Sequence, residues 1–367
     1  MELTGRTIFE ELETDYNINI SNIACSELSF NERKSKRMRM ELPLAEPPIK
    51  GLQYIANPLA IILNNKSGWD WFYSDYVQLI WYKKEKLLSF YNKYINEIPT
   101  CIPGLEFQCL EKQFVIRNMD IIQFMINAIN EGWYIFSSYN EQYIPNTYGY
   151  LKKERWYHDF MMHGYDLNKQ EFIFTVYTRR GKYERNVVSF EDFLKGFLDS
   201  QSSEFEFDRI NLFRLKEKFK FGFNKEELLN QIEDYIEAKC VDSKYTVPPW
   251  QEKKIYGMKI YKYIISIFEN EECSINDKRM LHMLWEHKKC MQMRIDYMIC
   301  HNIVKRDDIL VAMFETMTKR AEQLKMLQLK MCIKNDISMC EQIATKLKEL
   351  KELDMKSMSY LLNILKL

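Results

Sequence analysis

The feature that most constrains this chain is a change of hydrophobic period near residue 204. Between residues 133 and 190, apolar residues come in short runs: WYIFSSY (133–139), YHDFMMHGYD (157–166), EFIFTVYT (171–178) and YERNVVSF (183–190), with RRGK (179–182) as a turn. Short runs rich in aromatic and β-branched residues, bounded by turn residues, read as strands. Downstream the spacing becomes helical. EELLNQIEDYIEAK (226–239), KIYGMKIYKYIISIF (254–268), NDKRMLHMLWEHKKCMQMRIDYMI (276–299), DDILVAMFETMTKRAEQLKMLQLKM (307–331) and SMCEQIATKLKELKEL (338–353) all carry it. FEFDRINLFRLKEK, just past the change, reads as one more strand. No repeat of 20 to 50 residues is present.

Helices also precede the strands. NPLAIILNN (57–65) offers Asn57 as a cap and Pro58 in the first turn, where a missing N–H costs nothing. WDWFYSDYVQLIWY (69–82) reads as an aromatic helix. NMDIIQFMINAINEG (118–132) has Asp120 to open a helix and Gly132 to close it. Capping boxes at Ser189–Asp192 and Asn224–Glu227 start two more. Helices, then an antiparallel sheet, make an α+β domain, and the helical tail makes a second domain. At 367 residues the chain is long enough for both, and 46% hydrophobic residues can fill two cores. The division expected is an arm over 1–44, broken by prolines 43, 47 and 48, an α+β domain over 45–203 and a helical domain over 204–367.

Charge excludes some classes. Lys+Arg and Asp+Glu are 52 each, so nucleic acid is not the expected partner, although NERKSKRMRM (31–40) is locally basic. Nine cysteines without a CxxC pair read as reduced thiols rather than a disulfide framework or a zinc site. The N-terminus lacks a secretory pattern and no run of about 18 apolar residues occurs. The cytoplasm, with no membrane association, is the expected location. Phosphate-binding glycine loops and the GxSxG elbow are absent, so no cofactor is expected.

The stretch GLQYIANPLAIILNN (51–65) poses the functional question. A helix N-terminus lowers a thiol's pKa and suits a cysteine nucleophile. Pro58 in the first turn means a helix starting no earlier than about residue 54, which puts Tyr54 at its mouth. An unperturbed phenol titrates near 10, so it is a poor nucleophile at neutral pH. His158, opening a strand, is a candidate base; His163, five residues on, faces the other side of a regular strand.

YIANPLAIIL resembles the C-Y-x-N-x-L-x-S-I-L segment of bacterial cysteine-protease-fold proteins of nonribosomal and thiotemplated peptide biosynthesis. These are similar to the N-terminal domain of butirosin biosynthesis protein H and, more distantly, to C39-type peptidases. WFYSDYVQLIW (71–81), GWYIFSSYNEQYIP (132–145), HDFMMHGYDLNKQEF (158–172), GKYERNVVSFEDF (181–193) and DKRMLHMLWEHKKCMQMRIDYM (277–298) also look like segments of that family. The likeness covers most of residues 50–367. It implies a papain-like domain with a Cys–His–Asp triad that takes acyl groups from carrier-protein thioesters. On that pattern Tyr54 stands at the Cys place, Asn57 at the Asn and His158 at the His.

The departures set the expectation. Tyr54 replaces the thiol, and Val176 stands near the place of the third member, with no carboxylate in FIFTVYT. Cys101 and Cys109 are the thiols nearest in sequence that could substitute. Asp159 and Asp166 are the nearby carboxylates, able to orient His158 only if the backbone departs from a simple strand and turn. The expected protein is therefore either an acyl- or amide-forming enzyme with a degenerate site or a non-catalytic accessory protein. An accessory protein would bind an acyl or peptidyl carrier domain, a peptide intermediate, an active paralogue or its own copy. A third reading is a helical interaction protein whose likeness to the family is coincidental. His282 and Glu286, at i and i+4, and His287 and Cys290, at i and i+3, read as a packed, hydrogen-bonded motif and not as a metal site.

Overall fold

The computed structural model describes residues 37–92, 102–200, 209–239, 254–274 and 277–367. In chain order these give β1 (Arg39–Glu41), α1 (Gln53–Ile62), α2 (Lys66–Ser74), β2 (Leu79–Tyr82), β3 (Leu87–Phe90), β4 (Leu105–Glu111), α3 (Lys112–Asn118), α4 (Ile121–Asn130), β5 (Tyr134–Asn140), α5 (Tyr148–Lys152), β6 (Tyr157–Asp166), β7 (Glu171–Tyr177), β8 (Tyr183–Ser189) and α6 (Phe190–Asp199). Then come β9 (Arg209–Leu215), α7 (Lys225–Glu237), β10 (Ile255–Tyr256), α8 (Ile260–Glu269), α9 (Arg279–Cys300), α10 (Asp308–Lys334) and α11 (Cys340–Lys366). Helices combine with antiparallel sheet, so the fold class is α+β.

Contacts divide the chain into two compact units. One holds residues up to Leu42 together with Cys109–Leu212, and the other holds Pro43–Gln108 with Phe213–Leu367. This is not the contiguous division at 44 and 203 that composition suggested. The described end of the N-terminal arm is a strand of the first unit, and residues 43–108 belong with the helices of the second. Linear composition cannot show this, because a segment's unit is set by which distant apolar faces it buries.

In the first unit, β5 to β8 form an antiparallel meander, and β1 pairs with the second half of β6. The sheet runs in the order β4-β9-β5-β6-β7-β8; β4 and β9 carry the chain from one unit to the other. The aromatic runs meet in one cluster, where Phe193 of α6 stands edge-on to Phe160, Phe172 and Phe174. Both expected caps are present: Asp120 accepts from the Gln123 N–H and Ser189 from the Asp192 N–H. After α4, Gly132 takes φ +86°, a left-handed turn that glycine adopts without a side-chain clash.

The second unit packs α1, α2 and α7–α11 with the three-stranded sheet β10-β2-β3. Asn224 caps α7 as expected. The aromatic run at 69–82 is not one helix. Its helix stops at Ser74, Tyr76 takes φ +58°, and the chain becomes β2. Tertiary contacts stop it: the buried Arg294 guanidinium binds the Tyr73 carbonyl at 2.8 Å and the Asp75 carbonyl, and Asp75 Oδ2 accepts from Asn92. Carbonyls at a helix end need such donors.

Asn57 does not cap α1. The cap is Leu52, with no side-chain hydrogen bond, and both Asn57 and Pro58 lie buried inside the helix. The start is fixed from a distant helix. The Glu286 carboxylate of α9 accepts the N–H groups of Lys50 at 2.8 Å and Gly51 at 3.0 Å. That anchor places the first turn four residues before Asn57, with Pro58 bearing no N–H to give the Tyr54 carbonyl.

Candidate functional site

Every residue of α1 except Tyr54 is buried. The helix is apolar all round because it is packed all round, so its one outlet to solvent is the Tyr54 ring, 39% exposed. The phenol oxygen lies 2.6 Å from Ser89 Oγ on β3. Ser89 Oγ also donates to the Phe90 carbonyl at 3.0 Å. A serine hydroxyl has one proton to give. With that proton on Phe90, Ser89 Oγ accepts and the Tyr54 hydroxyl is the donor of this pair.

Around the start of α1 lies a rim of charge and aromatic surface from α9 and α10. Glu286 is buried and holds the backbone as described, and His282 Nε2 lies 3.2 Å from its Oε1. Lys325 Nζ sits 3.3 Å from the centre of the Trp285 ring, with Lys289 at 5.3 Å from it. Lys50 is held below the usual lysine range by partial burial and by the like charge of Lys289, against the pull of Glu286. Lys325 is lowered by burial, with Glu322 and Glu286 opposing and Lys289 assisting. Lys50 and Lys325, each lowered in part by the charge of Lys289, make with Trp285 a rim suited to an anionic or flat ligand.

His158 lies in the first unit, half-buried on β6 directly opposite Tyr139 of β5. Its Nδ1 is 3.3 Å from the Asp159 carbonyl, and its ring stands edge-on to Tyr177. Glu141, which sequence reasoning missed, follows the end of β5. It is buried and accepts the Gly149 N–H at 3.0 Å. Burial pushes its carboxyl up, while the Gly149 N–H and the His158 imidazole pull it down. The Tyr139 hydroxyl is fully buried with no hydrogen-bond partner, and burial with the charges of Glu141 and Asp159 drives it upward. Asp159 is pushed up by burial and pulled down by His158. An imidazole beside a protonatable carboxyl can move a proton. The pairing of Tyr139 with His158 is set by strand register, which no local pattern in the sequence reveals, so nothing there singled out Glu141.

The remaining expected residues fall as follows. Tyr54 and Asn57 belong to one unit and His158 to the other. Val176 is buried inside β7. Asp166 accepts the N–H groups of Asn168 and Lys169 in its own hairpin turn. Cys109 is exposed on β4, and Cys101 lies outside the described residues. His163 is buried beside a bulge in β6, which interrupts the strict alternation of faces. Its Nε2 meets Thr175 Oγ1 at 3.1 Å, and burial depresses it to about 4.

His287 and its neighbour form a sealed network. His287 Nε2 lies 2.8 Å from the Val77 carbonyl, and its Nδ1 lies 3.0 Å from Lys288 Nζ. Lys288 pairs with Asp354, which also accepts the hydroxyls of Tyr235 at 2.6 Å and Tyr261 at 2.9 Å. Lys288 and Asp354 are both 0% exposed. Burial depresses Lys288, and Asp354 opposes that. This network has no outlet to solvent and ties α7, α8, α9 and α11 together. Among the described residues no group of His, Cys, Asp or Glu is placed to hold a metal ion, and no helix is long and apolar enough to cross a membrane. Compared with known proteins, the chain matches no family model and no curated protein.

Proposed function

We propose that this protein is a non-catalytic, papain-like accessory protein of thiotemplated peptide biosynthesis, which binds a carrier domain through its acyl or peptidyl arm. The observation that carries this reading is the Tyr54–Ser89–Phe90 hydrogen-bond chain. Where an acyl-transfer enzyme needs a thiolate, this protein has a phenol hydrogen-bonded to Ser89. Support for binding comes from the rim of Lys50, Lys289 and Lys325 beside Trp285, which suits the phosphate that links an acyl arm to its carrier domain.

The test uses the full chain with a thioester-loaded carrier protein. Saturable binding with no acyl adduct by intact mass, unchanged in His158→Ala, supports the reading. Lys289→Glu weakens that binding about tenfold, the scale of one favourable charge contact turned repulsive. A second reading, an enzyme with a moved nucleophile, is favoured by one observation, the buried Glu141 carboxyl that lies in the field of the His158 imidazole. An adduct or turnover that His158→Ala abolishes establishes that reading and overturns the first.

A further inference from the structure

Of the six cysteines among the described residues, two lie together. Cys273 sits in the connection after α8, and Cys340 is the first residue of α11. Their sulfurs are 3.1 Å apart, and the residues are separated by 67 positions. Met331 Sδ of α10 completes a small sulfur-lined site, 3.7 Å from Cys340 and 4.0 Å from Cys273. Cys273 is 8% exposed and Cys340 is 1% exposed. Glu271, Glu272 and Ser274, which flank Cys273, are exposed. One thiol therefore hangs from a surface connection onto another at a helix start. A disulfide needs about 2.05 Å between sulfurs, so a movement of about 1 Å in that connection makes the bond.

We propose that Cys273 and Cys340 are an oxidisable dithiol that closes as an intramolecular disulfide, with a low-molecular-weight disulfide such as oxidised glutathione as the oxidant. The Cys273 thiolate attacks the small disulfide, giving a mixed disulfide and releasing one glutathione thiolate. The Cys340 thiolate then attacks the Cys273 sulfur and releases the second. The protein loses two protons and two electrons, and two glutathione thiols are formed. The closed loop contains all of α9 and α10, including Lys288 and the rim lysines Lys289 and Lys325. A crosslink across so long a segment restricts the unfolded chain strongly. Burial and the neighbouring Cys273 push the Cys340 thiol up to about 12, so closure is slow at neutral pH and sustained oxidant is needed. Oxidation thus stiffens the helical unit, independently of the α1 mouth.

The test equilibrates the reduced full-length chain in glutathione buffers of rising oxidised fraction, quenches with a thiol alkylator and maps the peptides. A peptide pair joined through Cys273 and Cys340 is expected. The thermal midpoint of the oxidised chain should rise by about 5 °C or more and return on adding reductant. Cys340→Ala should abolish the rise, and Cys332→Ala should leave it. Both thiols alkylated at every redox poise overturns the proposal. So does a crosslink that uses Cys332 instead, or a soft metal ion bound one per chain and lost in Cys340→Ala. Peptide mapping of the unmutated chain decides the matter even if the variants fold poorly.

Discussion

Lys288 and Lys289 are neighbours on α9 and have opposite fates. Lys288 is sealed against Asp354 and the Tyr235 hydroxyl. Lys289 is exposed at the rim beside Trp285. A helix turns 100° per residue, so one step moves a side chain from core to solvent. The same ammonium is costly to unpair in one place and nearly free to change in the other. Strand β6 repeats the contrast with imidazoles: His158 is half-buried beside carboxylates, whereas His163 is buried near Thr175. Function is therefore sought at Lys289 and His158, and architecture at Lys288 and His163.

The largest effect should come from Lys288→Met. It leaves the buried Asp354 with the Tyr235 and Tyr261 hydroxyls but no cation, and should cost about 3–5 kcal/mol in denaturant unfolding. A loss below about 1 kcal/mol would break the contrast, since it would mean that water reaches the network.

His163 gives the next largest effect. Its folded pKa, about 4, lies below the ordinary 6.5, so the folded state resists a proton that the unfolded chain accepts. Stability tied to this group is intact above about pH 6.5 and is lost as pH falls toward 4. The loss amounts to about 3 kcal/mol from the size of the shift. Glu41 favours the protonated form and Arg185 opposes it, so the local field is mixed. His163→Gln should remove this part of the pH slope in unfolding measured from pH 7 to 4. An unchanged slope would assign the acid sensitivity to the carboxylates.

The smallest effect belongs to Lys289→Ala. Exposed as it is, its removal should change stability by no more than about 0.5 kcal/mol. If unfolding shifts by more, the rim is part of the packing and the division between architecture and function fails there.

Legibility differed by the range of the forces involved. Caps at Asp120, Ser189 and Asn224 were readable because a cap is satisfied within three residues. The strands of the meander were readable from their runs. The α1 cap was misread because the carboxylate that fixes it is more than 230 residues away, on Glu286. The strand at Leu79–Tyr82 was hidden inside an aromatic run whose helix is stopped by Arg294. Of the candidate site, Tyr54 and His158 came from sequence, and the structure added Ser89 and Glu141, whose partners are set by packing.

By itself the sequence determined that an antiparallel sheet precedes a helical tail, that nearly all of α1 is apolar, and that a phenol stands near its start. Only the tertiary structure decided where that helix begins, which acceptor holds the phenol's proton, and which of two adjacent lysines is sealed. Local hydrogen bonds and hydrophobic period are written in neighbouring residues. Burial and the pairing of charges depend on which distant faces exclude water together, and no short stretch of chain contains that.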